Sequence, residues 1–76
     1  MKLGSLKEGG RDGTLIVVSR DLARAVRATG IAATLQRALE EWQACAPRLV
    51  ALAEVLEGSR AETITGEPVL RVAELS

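Results

Sequence analysis

The chain has no histidine, phenylalanine or tyrosine, and its 76 residues include one tryptophan and one cysteine. Without histidine it lacks the commonest general base and the commonest metal ligand of proteins. The single cysteine, Cys45, excludes an internal disulfide bond and a thiolate metal site, so nothing favours an oxidising compartment. No apolar run approaches the ~18 residues of a membrane span, and the N-terminus lacks the apolar segment of a signal peptide. We therefore expect a cytoplasmic protein that does not associate with membranes.

The chain also has no excess of positive charge. Ten basic and ten acidic residues cancel, and the pI is about 6.2. Nucleic-acid-binding proteins draw much of their affinity from a basic face, because Lys and Arg neutralise phosphates. Arg20, Arg24 and Arg27 form a local basic group, but Asp21 lies within it. These features predict no nucleic-acid partner.

What is present indicates β-structure over residues 1–30. Glu8–Gly13 holds three glycines and ends in Asp-Gly, a strong signal for a tight turn between strands. The run "TLIVVS" that follows is apolar at successive positions, as in a central or covered strand. We expect Lys2–Lys7 and Thr14–Arg20 to form an antiparallel hairpin with the second strand inside. The apolar positions of Asp21–Ala28 fit both the spacing of a helix and the alternation of a strand. We favour a loop followed by a third short strand that stops at Thr29-Gly30.

Residues 34–57 carry the clearest helical period. The apolar positions recur at steps of three and four: Leu35, Ala38, Leu39, Trp42, Cys45, Ala46, Leu49, Leu52, Ala53 and Leu56. Thr34 is a suitable N-cap and Gly58-Ser59 a suitable stop. Because a proline is costly inside a helix and favourable in its first turn, Pro47 predicts either two helices, Leu35–Ala44 and Pro47–Leu56, or one kinked helix.

Residues 62–75 return to β-prone sequence. Thr63–Thr65 is a short strand candidate, Gly66-Glu67-Pro68 a turn, and Val69–Leu75 a strand candidate with Leu70 and Val72 on one face. The prediction is one small α+β domain over residues 1–76. Its antiparallel sheet combines the N-terminal hairpin with the C-terminal strand, and one or two helices cover one face.

Two side chains suited to chemistry or binding lie on the apolar helix stripe. Cys45 stands beside Trp42 and Leu49, where a buried, inert thiol is the better interpretation than a nucleophile. Trp42 is interpreted as a core residue rather than a binding-site aromatic. None of the serines has a basic partner at a spacing that suggests activation; they are Ser5, Ser19, Ser59 and Ser76.

The carboxylates are interpreted as surface groups. Glu40, Glu41, Glu54 and Glu57 lie on the polar helix face, and no second cluster joins them to hold a cation. Glu8 and Asp12 flank the glycine turn, which joins two predicted strands instead of leading into a helix N-terminus that could hold phosphate. The sequence thus predicts no catalytic, cofactor-binding or metal-binding residue.

The order of segments resembles the N-terminal domain of the fumarylacetoacetate hydrolase family, in particular its bacterial subgroup. The resemblance rests on "MKLGSLKEGGRDGTLIVVSRDLARAV", "TGIAATLQRALEEW" and "APRLVALAEVLEGS". Within these, the Ser19-Arg20-Asp21-Leu22 exit, the Thr34-Leu35-Gln36 helix start and the Trp42…Ala46-Pro47 junction match closely. Beyond Gly58, "EPVLRVAELS" resembles the strand that precedes the catalytic domain in such proteins.

This resemblance implies a support domain without chemistry of its own. Members of the family hydrolyse carbon–carbon bonds of diketo acids, or act on related acids, with Mg²⁺, Mn²⁺ or Ca²⁺ held by carboxylates in a larger C-terminal domain. Those ligands include a Glu-x-Glu pair, and none occurs in this chain. A catalytic domain of the same family, or a second copy of this chain, is therefore the expected partner, and the metal is expected only in the separate domain.

Two other hypotheses stay open on the sequence. The first is a stand-alone interaction module that self-associates through exposed strand edges or apolar faces. The second is a small DNA-binding protein, for which the strand–helix–helix order is the only support.

Overall fold

The computed structural model describes residues 1–8 and 13–75. Its elements in chain order are strands β1 (Lys2–Leu6), β2 (Thr14–Val18) and β3 (Arg24–Arg27), helices α1 (Leu35–Glu40) and α2 (Trp42–Gly58), and short strands β4 (Thr63–Ile64), β5 (Glu67–Pro68) and β6 (Leu70–Arg71). One 3₁₀ turn, Val72–Glu74, follows the last strand. The predicted α+β class is confirmed.

The main sheet has the order β1-β2-β3-β6 with every neighbouring pair antiparallel. The predicted hairpin is present, since Lys2 pairs with Val18 and Leu6 with Thr14. Gly13 enters β2 with a φ of +73°, and a Cβ there would stand 3.2 Å from the Leu6 carbonyl oxygen, so this position requires glycine. Residues 9–12 of the predicted glycine turn, including Asp12, lie outside the described residues.

Strand β2 is central in the sheet, as its continuous apolar run predicts. Leu15 and Val17 are fully buried and face the helices together with Val26 of β3. Ile16 points to the opposite face, because side chains alternate along a strand, and it is buried too. Apolar residues on both faces of β2 therefore have separate packing environments.

The helical layer begins at Thr34, the predicted N-cap, whose Oγ1 accepts a hydrogen bond from the Arg37 N–H at 3.1 Å. The predicted stop is also confirmed, because α2 ends at Gly58 and the Ser59 N–H bonds to the Val55 carbonyl. Side chains of α2 complete the core over β2 and β3: Cys45, Leu49, Leu52 and Leu56.

The break between the helices lies at Glu41, and the prediction of a break at Pro47 was wrong. The Glu41 N–H bonds to the Arg37 carbonyl and closes α1, while the Glu41 carbonyl accepts from Ala44 and Cys45 and opens α2. Pro47 is the sixth residue of α2 and faces solvent. Its ring removes the hydrogen bond to the Gln43 carbonyl, and Gln43 is exposed, so water can serve that carbonyl.

The C-terminal region differs from the predicted strand Val69–Leu75. Only Leu70–Arg71 pairs with β3, and the chain then enters the 3₁₀ turn. The predicted turn at residues 66–68 instead contributes β5, which pairs with β4 around Thr65 and Gly66, both at positive φ.

Candidate functional site

The best-built polar arrangement outside the helices is the turn between β2 and β3, hereafter the Ser19–Arg24 turn. Ser19 is 1% exposed, and its Oγ donates to Asp21 Oδ1 at 2.6 Å and accepts from the Arg24 N–H at 3.0 Å. Asp21 Oδ1 also accepts from the Ala23 N–H at 3.0 Å. These bonds to the carboxylate, chiefly the one from Ser19, lower the pKa of Asp21 below its ordinary value. The ionised Asp21 therefore fixes the shape of the turn.

Arg24 connects this turn to the end of α2. Its guanidinium donates to the carbonyl oxygens of Leu56 and Ser59, each at 2.8 Å. The last carbonyls of a helix have no partner within the helix, and a cation is favourable at that end. A second connection runs from the Arg20 N–H to the Glu57 carboxylate at 2.6 Å. Sheet and helix are thus joined by the Arg24 side chain and the Arg20 backbone N–H, both from this one turn.

The fixed turn holds Leu22 in an unusual position. Leu22 has a φ of +62° and is 53% exposed. A left-handed conformation is uncommon for a bulky residue and costs of the order of 1–2 kcal/mol. Leu22 therefore lies outside the core, with an exposed apolar side chain on a strained backbone position.

An ion pair lies farther along β3. Arg27 donates to the two carboxylate oxygens of Glu8, from Nε to Oε1 and from Nη2 to Oε2, both at 2.8 Å. This two-bond contact lowers the pKa of Glu8 and raises the pKa of Arg27. Glu8 was predicted only to flank the glycine turn, and the structure gives it a partner on the sheet.

A groove of about 630 Å³ runs between the end of β3, α2 and the β4–β5 hairpin. Its floor includes Leu52 and Val55, and two arginines stand on its sides. Both arginines already have partners, since Arg27 holds Glu8 and Arg48 donates to the Gly30 carbonyl at 3.1 Å. Within residues 1–8 and 13–75, no buried side-chain nitrogen or oxygen lacks a hydrogen-bond partner. Among the described residues, the groove therefore contains no buried polar side-chain atom without a partner.

The carboxylates of the sequence analysis that the structure describes do not converge. Glu40 and Glu41 lie near Arg37 on the surface, at 3.8 and 3.6 Å, and Glu57 holds the Arg20 N–H. Glu54 is exposed on α2. In the described parts of the chain, no group of three or more His, Cys, Asp or Glu side chains could hold a metal ion.

The two special residues of the helix stripe have different positions. Cys45 is buried in the core, as predicted. Trp42 is 39% exposed, so its interpretation as a core residue was wrong, and Leu39 at 59% exposed also lies outside the core. Both flank Glu41, where the chain leaves the helical path, and the period of α1 does not continue into α2.

Sequence reasoning missed the exposed position of Leu22 and the bonds from Arg24 to the end of α2. Ser and Asp two positions apart, as in Ser19-Arg20-Asp21, are typical of side-chain-stabilised turns, and that signal was available. Nothing local marks Leu22 as exposed or Arg24 as a ligand of the helix end.

Comparison with known proteins addresses the whole chain. The model of the family Fumarylacetoacetase N-terminal domain 2 matches residues 1–75. The chain belongs to this family. A search of curated proteins found no significant match. In the part of this fumarylacetoacetase N-terminal domain that the structure describes, no helix has the length and apolarity needed to cross a membrane.

Proposed function

We propose that this fumarylacetoacetase N-terminal domain is a non-catalytic support domain that docks onto a catalytic domain of the same family. The complete enzyme would hydrolyse carbon–carbon bonds of acylpyruvate-type diketo acids in the cytoplasm. Mg²⁺, Mn²⁺ or Ca²⁺ would be held by carboxylates of the catalytic domain. The observation that carries the proposal is the family match over residues 1–75.

The use of polar side chains in this domain supports a structural role. The polar side chains with short hydrogen bonds use them within the domain: Ser19 bonds to Asp21, Arg24 to the end of α2, and Arg27 to Glu8. A reaction centre needs groups held near a substrate with donor or acceptor capacity to spare. In this domain the donors and acceptors of these side chains instead join secondary-structure elements to one another.

The docking contact that we propose is the Ser19–Arg24 turn with Leu22 at its tip. Leu22 is held out by hydrogen bonds on both sides, from Ser19 and Asp21 before it and from Ala23 and Arg24 after it. A contact residue that is already fixed loses little conformational entropy on binding. An exposed leucine on a rigid turn therefore suits a permanent apolar contact.

The first experiment measures acylpyruvate hydrolysis in the presence of Mg²⁺ or Mn²⁺. This chain alone is expected to show no turnover, and a catalytic-domain chain is expected to gain activity or stability when this chain is added. Turnover by this chain without a companion would overturn the proposal.

The second experiment tests the docking contact with Leu22→Asn. Asparagine tolerates positive φ, so the fold is expected to keep or gain stability while binding to the catalytic domain weakens by at least about tenfold. Leu39→Asn is the matched control, because Leu39 is equally apolar and exposed but lies on a helix. Equal effects of the two substitutions on binding would exclude the Ser19–Arg24 turn as the contact.

A further inference from the structure

Strand β1 forms a free edge of the main sheet. The strand order places it at one end with β2 as its neighbour, and it is five residues long. The opposite edge, β6, has two residues and passes at once into the 3₁₀ turn. A free edge presents unpaired N–H and C=O groups to any strand that approaches. Among the described residues, β1 is the longer edge available for pairing.

The hydrogen-bond pattern identifies which groups of β1 point outward. The Ser19 N–H bonds to the Arg24 carbonyl and the Ala28 N–H to the Leu15 carbonyl, so odd-numbered residues of β2 bond to β3. In an antiparallel sheet alternate residues bond to opposite neighbours, so the even-numbered residues of β2 bond to β1. Their partners are Lys2, Gly4 and Leu6. The backbone groups of Leu3 and Ser5 therefore face away from the sheet.

We propose that β1 pairs with β1 of a second copy of this chain, antiparallel and about a two-fold axis, with Ser5 opposite Ser5. In this register Lys2 of each copy stands opposite Glu8 of the other, and Gly4 stands opposite Leu6. The two sheets join into one sheet of eight strands. This inference goes beyond the proposed support role and does not depend on it.

Charge favours this register. Lys2 pairs with Val18, whose side chain shares a face of β2 with Ile16. Arg27 is the β3 partner of Ile16 and holds the carboxylate of Glu8, so Lys2 and the Glu8 carboxylate lie on the same face of the sheet. The two-fold axis then creates two oppositely charged cross-strand pairs, an arrangement that stabilises antiparallel strands. Both carboxylate oxygens of Glu8 already accept from Arg27, and the Glu8 side chain is 36% exposed, so Lys2 of the second copy would join an existing ion pair.

Volume favours the same register. Gly4 leaves open the place of a side chain above Ile16 and Val18, where a Cβ would make only ordinary contacts at 3.5–3.9 Å. Leu6 of the second copy would stand opposite this glycine. The neighbouring register, with Gly4 opposite Gly4, would leave the space empty and place Lys2 opposite Leu6, without any charge pair.

The first test is sedimentation of this chain alone over a concentration series, which separates this inference from docking onto a catalytic domain. A monomer–dimer equilibrium is expected. Ser5→Pro is expected to abolish the dimer and keep the fold, because its N–H faces outward and proline is tolerated at such edge positions. Ser5→Thr is the matched control and is expected to dimerise. A concentration-independent monomer, or a dimer that Ser5→Pro leaves intact, would overturn the inference.

The second test checks the register in which the two β1 strands pair, and it can be carried out even if Ser5→Pro fails to fold. Lys2→Glu converts both charge pairs into repulsions, so the dimer Kd is expected to rise about tenfold or more at low salt and less at high salt. Lys7→Glu is the matched control, because it changes the net charge equally but stands opposite Leu3. Equal effects of the two substitutions would show that Lys2 does not face Glu8.

Discussion

Arg24 is the residue whose loss should separate the sheet from the helical layer most sharply. We consider Arg24→Met, which keeps most of the half-buried stem and removes the donors. The Leu56 and Ser59 carbonyl oxygens would each lose a bond of 2.8 Å. Hydrogen bonds to charged groups contribute ~1.5–3 kcal/mol each when well formed, and the favourable charge at the helix end adds ~0.3–1 kcal/mol.

Partial exposure reduces these values, so the expected loss in the free energy of unfolding is about 2–4 kcal/mol. For a domain of this size 1 kcal/mol moves the Tm by ~4–8 °C, so the expected fall is roughly 10–30 °C. Thermal unfolding followed by far-UV circular dichroism measures it directly.

The matched control is Arg37→Met on α1. Arg37 faces Glu40 and Glu41 at 3.8 and 3.6 Å, and all three side chains are exposed. Exposed pairs of this kind contribute ~0–1 kcal/mol, so this variant should unfold within a few degrees of the parent. If Arg24→Met and Arg37→Met lower the Tm equally, Arg24 does not stabilise the end of α2 as argued.

Two further predictions concern pH and the helix interior. Because the pKa of Asp21 is lowered in the folded state, the unfolded chain binds the proton first as the pH falls, and stability should drop as the pH decreases below about the ordinary value of 3.8. Asp21→Asn should reduce the dependence of the free energy of unfolding on pH, measured by urea unfolding from about pH 6 to about pH 3. The remaining dependence is expected from Glu8, whose pKa is lowered by its bond to Arg27. An unchanged pH dependence would contradict the assignment to Asp21. Pro47→Ala restores an N–H within α2 and should raise the free energy of unfolding by about 1–3 kcal/mol in urea titration. A loss of stability in that variant would mean that the proline ring makes contacts that alanine cannot replace.

The sheet and the start of the helical layer follow from local sequence. A turn signal before a continuous apolar run predicts a hairpin with its second strand inside, and β2 occupies that place. Thr34 predicts the start of α1 because its hydroxyl, placed just before the apolar-periodic run, can accept from an N–H of the first helical turn that has no partner within the helix. In both cases the residues that determine the element lie within a few positions of it in the sequence.

The break at Glu41 does not follow from local sequence. Helical spacing continues through Leu39 and Trp42 in the sequence, whereas the chain turns between them and leaves both exposed. Pro47 was the stronger local signal, yet a helix tolerates it where the freed carbonyl stays in solvent. The direction of α2 is set by its packing on the sheet, which one-dimensional periodicity does not contain.

The candidate site also combines bonds that local sequence predicts with bonds that depend on the fold. The bonds within the Ser19–Arg24 turn span at most five residues and could be predicted from Ser and Asp at their spacing. The bonds from Arg24 to the end of α2 span 32 and 35 residues. Only the fold brings those groups together, so sequence alone assigns Arg24 to a basic surface group.

The two proposed contacts use different parts of the sheet. Pairing through β1 uses backbone groups at one edge, whereas Leu22 stands on the turn between β2 and β3. A two-fold pair of this domain would carry two such turns and could hold two catalytic domains. Leu22→Asn should then leave the dimer Kd unchanged, and Ser5→Pro should leave docking unchanged. If either substitution weakens both interactions, the two surfaces are coupled and one of the two contacts has been placed wrongly.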